Sequence, residues 1–232
     1  MATPTSAVPP VSGDGASDIP PIWFTVPEGF FALPVAPTPE ERETLAHAFV
    51  RELYSRGDES LWDPAAPYYA AVAEYMAGEG VSYAAMGLFS TEGSGVAQCA
   101  FTVAAVQTDQ TDPDIAAHGT LAVLSADPLN DARWLDLPCG PAVSCVTLSE
   151  FTLQPDVTAS GEETKLLTGQ IQVHVPFATG PYTAVFTLHT ASTEYWAEFC
   201  DLLVALLRTV SFVEPDGGAG GAGGAGGGVG SG

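Results

Sequence analysis

Four cysteines and four histidines are the first candidates for chemistry in this chain, because thiolates and imidazoles serve as nucleophiles, general bases and metal ligands. The cysteines stand singly among apolar neighbours, and the sequence contains no C-x-x-C pair. This pattern predicts buried, reduced thiols rather than a zinc site or a redox dithiol. The eight residues are Cys99, Cys139, Cys145, Cys200, His47, His118, His174 and His189.

Two of the histidines, His174 and His189, belong to a predicted C-terminal β-hairpin. If Phe177 lies opposite Tyr182, each residue pair on one face of the hairpin is apolar, and this agreement favours the register. The pairs are Val175 with Ala184, Val173 with Phe186, and Ile171 with Leu188. The same register separates the two imidazoles by four residues, or roughly 13 Å at about 3.3 Å per residue. The sequence therefore predicts that they do not share a metal ion.

Two further patterns resemble functional motifs. Gly93-Ser94-Gly95 lacks the G-x-S-x-G spacing and the strand-to-helix setting of a nucleophile elbow, so we predict a loop. Asp109, Asp112 and Asp114 suggest a calcium loop, but the alternating ligands, central glycine and closing glutamate of an EF-hand are missing from the sequence. Helix capping and solvation explain these aspartates better.

An enzyme whose active site is dispersed in sequence stays open as an alternative. Its candidate residues are Cys99 or Cys200 with a histidine, and the carboxylates Glu150 and Glu163. None of them has a partner at a recognisable spacing, although catalytic triads are defined by geometry and not by sequence position. We therefore predict no catalytic, cofactor-binding or metal-binding residue, and a protein that is not an enzyme.

The N-terminal half carries signals for two helices. Thr38 is a predicted N-cap, with Pro39 at the first helical position and Glu41 at the capping-box position. Apolar residues then recur at three- and four-residue steps before Gly57; they are Leu45, Ala46, Phe49, Val50 and Leu53. A second helix is predicted from Asp63-Pro64 to Gly78. Its tyrosines are expected in the core more than in a ligand site; they are Tyr68, Tyr69 and Tyr75.

The rest of the chain consists of strands, turns and two more helices. Strands are predicted at 22–26, 81–90, 96–107, 142–153, 166–176, 181–190 and 209–212. Helices are predicted at 112–125 and, after a cap at Ser192 or Thr193, along an apolar stripe from Trp196 to Val210. A polar loop is predicted around Asp127, Asn130 and Asp131. This order of elements predicts an α+β fold.

Composition predicts one folded domain between two disordered ends. Residues 1–20 are rich in proline and small residues, and residues 215–232 are almost entirely glycine and alanine. Neither segment can bury enough apolar surface to offset the roughly 1–2 kcal/mol per residue that ordering a backbone costs. Residues 21–214 are numerous enough to form a single α/β domain with one well-buried core.

The charge balance is strongly acidic. Six basic residues oppose 28 acidic ones, which gives a formal net charge of −22. Such a surface repels phosphate backbones and anionic headgroups, so we expect neither nucleic-acid binding nor membrane insertion. The charge serves either solubility alone or the docking of a basic partner. Because the first twenty residues contain no apolar stretch typical of a signal peptide, we expect a cytoplasmic location.

Three passages of the chain form a familiar set. They are an opening strand and turn at 24–30, the entry to a central strand at 137–143, and the last hairpin, helix and strand from Tyr182 to Phe212. Together they resemble the PsbP/Mog-like fold superfamily, which includes LpqN-type and DUF1795-like proteins. The resemblance implies an antiparallel β-sheet with helices packed on its faces, in an α/β/α sandwich. It also implies that the protein binds other proteins. It supplies no catalytic residue to carry over.

These observations predict a non-enzymatic, cytoplasmic protein-binding adaptor, and a chaperone or accessory factor of a secretion system fits that description. Its partner is expected to be another protein with a basic or apolar segment, and self-association as a homo-oligomer stays open. A structural or assembly component, with the ends as tethers, is the alternative. No cofactor is expected.

Overall fold

A computed structural model describes residues 4–7, 19–55, 57–93 and 95–214 of the chain. Its helices are α1 (Pro39–Leu53), α2 (Trp62–Gly78), α3 (Pro113–Leu124) and α4 (Trp196–Leu207). Its strands are β1 (Pro4–Ala7), β2 (Ile22–Thr25), β3 (Phe30–Ala32), β4 (Val81–Ser90), β5 (Val96–Gln107), β6 (Asp131–Leu137), β7 (Gly140–Leu153), β8 (Thr164–Pro176) and β9 (Tyr182–Thr190). The arrangement is an α+β fold.

Seven of the described strands form one antiparallel sheet in the order β3-β4-β5-β9-β8-β7-β6. The central strand β9 lies between β5 and β8. The other two described strands, β1 and β2, form a separate antiparallel pair. The sheet is therefore antiparallel, as expected.

The main core lies on the sheet face that α4 and β2 cover. Phe101, Phe186 and Val173 of the central strands point to this face and are fully buried. Phe24 of β2 packs on them edge-to-face, 6.1 Å from Phe101 and 5.7 Å from Phe186 between ring centroids. The buried stripe of α4 closes the layer; it consists of Phe199, Leu203, Leu206 and Leu207.

The remaining helices pack on the opposite face. Helices α1 and α2 form a smaller core with Met86 of β4, and Met86 alternates along its strand with Gly87, which faces the main core. Helix α3 lies over β6, β7 and β8. Its His118 ring is 4.5 Å from the ring of Trp134. Helices therefore cover both faces of the sheet.

The register predicted for the C-terminal hairpin is confirmed. Phe177 donates its N–H to the carbonyl of Tyr182 at 2.9 Å. The three apolar pairs of the prediction form as expected between β8 and β9, and their side chains are buried in the main core. His174 lies opposite Val185, and His189 opposite Gln170. Apolar pairing on one face therefore sufficed to fix the alignment of these two strands.

Three predictions at the level of elements are wrong. The predicted polar loop ends before Asp131, because Asp131 starts β6, an edge strand in which exposed and half-buried residues alternate only as far as Trp134. Ser192 and Thr193 do not cap α4, because the Ser192 hydroxyl accepts the N–H of Gln98 and a 3₁₀ turn precedes the helix. The closing strand at 209–212 is reduced to a single bridge between Ser211 and Trp23.

The ends of the chain fall mostly outside the described residues. Within the N-terminal segment predicted to be disordered, Pro4–Ala7 forms β1 and pairs with β2. Main-chain pairing of this kind requires no apolar periodicity, which explains why composition alone did not reveal it. The remainder of residues 1–20, apart from Ile19 and Pro20, and residues 215–232 lie outside the described part.

Candidate functional site

The four thiols lie in environments that disfavour the thiolate. Burial raises the pKa of Cys99 to about 12 and raises the pKa of Cys139, Cys145 and Cys200 above the usual value. Asp131 and Asp127 add to the increase at Cys145, and Asp201 adds to it at Cys200. All four cysteines are free thiols. The prediction of buried, unpaired thiols is therefore confirmed for Cys99 and Cys145, while Cys139 and Cys200 are half-buried.

The sheet separates the candidate cysteine nucleophiles from the histidines. Cys99 belongs to the main core, and Cys200, a residue of α4, packs against that core. His174 and His189 point to the opposite face, since they alternate with Val173 and Leu188 of the core. His47 and His118 are on helices α1 and α3, which also cover that opposite face. The structure therefore brings neither Cys99 nor Cys200 together with a histidine.

The acidic candidates have structural roles or lie in solvent. Asp112 caps α3, accepting hydrogen bonds from the N–H groups of Asp114 and Ile115 at 3.0 and 3.1 Å, as predicted. Glu150 forms a 2.7 Å ion pair with Lys165 across β7 and β8, and Glu163 is exposed. The glycine-flanked serine motif lies in the β4–β5 turn, although Ser94 itself is outside the described residues. In the described ranges, no group of three or more His, Cys, Asp or Glu is arranged to hold a metal ion.

The tyrosines of α2 differ from the prediction. Tyr69 packs on Phe49 with ring centroids 4.7 Å apart and shares a 3.1 Å hydrogen bond with the hydroxyl of Tyr54. Tyr68 and Tyr75 are exposed, so the expectation of a core position is wrong for both. Helix α2 buries mainly small residues, including Ala66 and Ala73, against its neighbours. Its close packing leaves these two aromatic rings on the outside.

A cleft of about 1010 Å³ lies beside α1. One wall is a face of α1, and the opposite wall is the segment that connects β3 to α1. The end of α2 and the start of β4 complete it. We call this the α1 cleft; its lining includes Leu33–Pro37, Glu40–Arg42, Thr44, Leu45, Ala48, Phe49, Glu52, Glu74, Ala77, Gly78 and Val81–Tyr83. Its volume is at the upper end of the range typical of ligand sites.

Local sequence explains how the α1 wall forms. Thr38 adopts an extended conformation, accepts the N–H of Glu41 and donates its hydroxyl to the Glu41 carboxylate at 3.0 Å. These hydrogen bonds cap α1, which starts at Pro39, although Glu41 accepts the hydroxyl of Thr38 and not its N–H as in a full capping box. Four cleft residues then follow at steps of four, three and four, which places them on one helix face; they are Glu41, Leu45, Ala48 and Glu52. Leu45, predicted as part of the buried stripe, is instead exposed to the cleft.

Arg42 fixes the connection that forms the opposite wall. Its guanidinium donates to the carbonyls of Ala36 and Pro37 at 2.9 and 3.3 Å, and its side chain is only 11% exposed. A second nitrogen lies 3.6 Å from the carboxylate of Glu74 on α2. These contacts hold the cationic group in place, so Arg42 is a positioning residue for the wall.

The lining of the cleft combines apolar residues with four exposed glutamates, which we call its acidic rim. Leu33, Val35, Leu45 and Val81 supply apolar surface. Four carboxylates and the guanidinium of Arg42 are the charged groups among the described lining residues; the acids are Glu40, Glu41, Glu52 and Glu74. The balance is therefore three negative charges. Such a lining attracts a ligand that has both an apolar part and a positive charge, and it disfavours an anion.

Sequence reasoning did not identify this cleft. The signal was present in α1, where two glutamates flank Leu45 and Ala48 on one face. That face becomes part of a site only because residues 33–37 line the same cleft. The sequence pattern of α1 does not reveal where this segment lies.

Comparisons with protein families, with curated proteins and with solved structures found no match to the chain. The PsbP/Mog-like resemblance therefore stays a prediction. Among the described helices, none has the length and apolar character required to cross a membrane.

Proposed function

We propose that this protein is a non-enzymatic binding protein whose α1 cleft holds a basic, apolar segment of a partner protein. The observation that carries the proposal is that the lining combines apolar residues with the acidic rim, while its one described cation is already engaged by two backbone carbonyls. A lysine or arginine of the partner fits this environment, because its aliphatic stem covers apolar surface while its charged end reaches a carboxylate.

The overall charge supports the same class of partner. With a formal net charge of −22, the protein attracts cationic segments at long range and accelerates their encounter. It also repels a second copy of itself. The charge therefore favours binding between unlike molecules over a homo-oligomer.

The state of the thiols supports binding rather than catalysis. A cysteine nucleophile reacts as its thiolate, and burial raises the pKa of each of the four thiols. The sheet also separates Cys99 and Cys200 from the histidines that would activate them. These features disfavour the dispersed active site that the sequence left open.

An adaptor or chaperone that works in the cytoplasm fits this binding mode, and one that serves a secretion system is included in the proposal. A strongly acidic chaperone suits a client with basic or exposed apolar segments. The assembly-component alternative rests on residues at the ends of the chain, most of which the structure does not describe.

Site-specific photo-crosslinking tests the proposal in the cells that make the protein. A photoreactive amino acid replaces Ala48, which lines the cleft, and in a matched control it replaces Ala71, an exposed residue of α2 outside the lining. We expect the Ala48 position to capture a protein segment that combines lysine or arginine with apolar residues. Capture of an acidic segment, or equal capture from both positions, would refute the proposed site.

A further inference from the structure

A second surface lies where β7 and β8 extend beyond their neighbours. Strand β6 pairs with β7 only as far as Val146, and β9 pairs with β8 only from Gly169 onward. Beyond these limits, residues 147–153 of β7 have β8 as their one partner strand in the described chain, and residues 164–168 of β8 have only β7. We call this two-stranded extension the β7–β8 ribbon. At about 3.3 Å per residue, its longer strand extends roughly 20 Å.

The ribbon exposes apolar side chains on both faces. Leu148 and Leu167 lie on one face, and Phe151 lies on the other. Their exposed fractions are 64%, 46% and 51%. A two-stranded ribbon is only marginally stable in water unless another part of the protein packs on its apolar side chains. Exposed apolar side chains on both faces of such a ribbon are therefore unusual.

The outer edges of the ribbon pair with no other described strand, and every ribbon residue except the buried Thr168 is exposed or half-buried. Along the outer edge of each strand, alternate residues point their N–H and C=O groups away from the partner strand. Soluble proteins usually protect such edges with proline, a bulge or a free lysine. The ribbon strands contain no proline, and their one lysine, Lys165, is paired with Glu150 at 2.7 Å. The edges are therefore suited to accept an additional strand.

Charge selects the kind of strand. The ribbon and its connecting loop carry Glu150, Asp156, Glu162 and Glu163 against the single basic residue Lys165, which leaves three negative charges. A second copy of the chain would bring another strongly acidic surface and is disfavoured. An extended basic segment would satisfy the main-chain groups, cover the apolar residues and neutralise the carboxylates.

We propose that the β7–β8 ribbon binds an extended segment of a partner protein, with alternating basic and apolar residues, by β-strand addition. Main-chain hydrogen bonds supply the affinity in this mode, and the side chains of alternate residues supply the specificity. The surface is separate from the α1 cleft, so the ribbon proposal stands or falls independently of it. Two sites of this kind would let one molecule hold two segments.

The probe is a blocked peptide of alternating lysine and valine, about seven residues long to match the longer ribbon strand. We expect saturable binding to the full-length protein, with slower amide hydrogen exchange in residues 147–153 or 164–168. Replacing lysine by glutamate in the peptide should abolish binding. Methylating alternate peptide nitrogens should do the same, since N-methyl groups block the edge of an added strand.

Matched variants of the protein localise the site. Leu148→Lys adds positive charge to the ribbon and should weaken peptide binding about tenfold or more. Leu129→Lys makes the same change at an exposed leucine outside the ribbon and should leave the affinity within about twofold. Failure of the peptide to bind, protection outside the ribbon, or self-association of the chain through the ribbon would each overturn the proposal.

Discussion

The indole of Trp196 lies directly over Gly169, with the start of α4 packed against β8 at this point. A Cβ atom built on Gly169 would overlap the indole ring, with its Cε3 atom at 2.8 Å. Glycine is therefore required here by the close approach of a side chain, in a strand where it otherwise contributes nothing to packing. The contact joins the hairpin to the helix that covers the main core.

Substituting Gly169→Ala should lower the free energy of unfolding by about 1–3 kcal/mol, because the indole must move out of a packed layer. The matched control is Gly119→Ala in α3, where nothing lies within 4 Å of the added methyl group. That change should raise stability by roughly 0.5–1 kcal/mol, since alanine favours a helix. Urea denaturation measures both variants, and the cost at Gly169 should shrink in a Trp196→Leu background. Equal effects at the two glycines would contradict the packing described.

The stability of the protein should depend on the protonation of His174. Burial lowers the pKa of this imidazole below its ordinary value of 6.5, and its Nε2 atom is buried with no hydrogen-bond partner among the described residues. Between the lowered folded pKa and 6.5, the unfolded chain holds a proton that the folded chain does not. The stability that neutral His174 provides is thus present above pH 6.5 and is lost as the pH falls below it.

Comparison with His174→Leu separates the pH-dependent stability due to His174 from that due to the carboxylates, which both proteins share. The wild-type protein should lose stability relative to the variant between pH 7 and pH 5, measured by denaturation at each pH. If the free energies of unfolding of the two proteins changed equally with pH, the fold would not be holding His174 neutral.

The thiols should react slowly in the native protein. With a pKa of about 12, Cys99 is a thiolate in on the order of one protein molecule in ten thousand at pH 8. Iodoacetamide labelling followed by mass spectrometry should therefore modify Cys99 much more slowly in the folded protein than in guanidinium chloride. Rapid native labelling of Cys99 or Cys200 would instead identify an activated thiol, and the enzyme alternative would regain support.

The Thr38 cap of α1 should contribute measurably to stability. Thr38→Ala removes both hydrogen bonds to Glu41 and should cost about 1 kcal/mol. Thr38→Ser keeps the hydroxyl and serves as the control, with an expected change of a few tenths of that value. If alanine and serine at this position gave the same stability, the capping hydrogen bonds would have no energetic role.

Local signals predicted the elements that depend on local chemistry. The N-cap at Thr38, the cap at Asp112 and the apolar pairs of the β8–β9 hairpin each follow from residues close together in sequence. Prediction failed where distant parts of the chain decide the outcome. Ser192 was expected to cap α4, but its hydroxyl accepts the N–H of Gln98, a residue 94 positions away.

The candidate site was missed for the same physical reason. The α1 cleft depends on contacts of Arg42 with carbonyls of the preceding segment and on Glu74 of a different helix. In sequence, Leu45 is simply one more apolar residue of an amphipathic helix. Only the packed structure shows that α2 covers the side of α1 that carries Phe49 and leaves Leu45 to line an open cleft.

The central claim is that the acidic rim of the α1 cleft holds a basic, apolar segment. The most direct measurement is selection of a random peptide display library against the protein, followed by the affinity of the enriched peptides for charge-neutralised variants. The double variant Glu41→Gln/Glu52→Gln removes two rim charges, and Glu43→Gln removes one from an exposed part of the same helix outside the lining. We predict peptides that combine lysine or arginine with apolar residues, about tenfold weaker binding to the double variant and a change within about twofold for the control. Enrichment of acidic or uncharged peptides, or equal affinity for wild type and the double variant, would contradict the account.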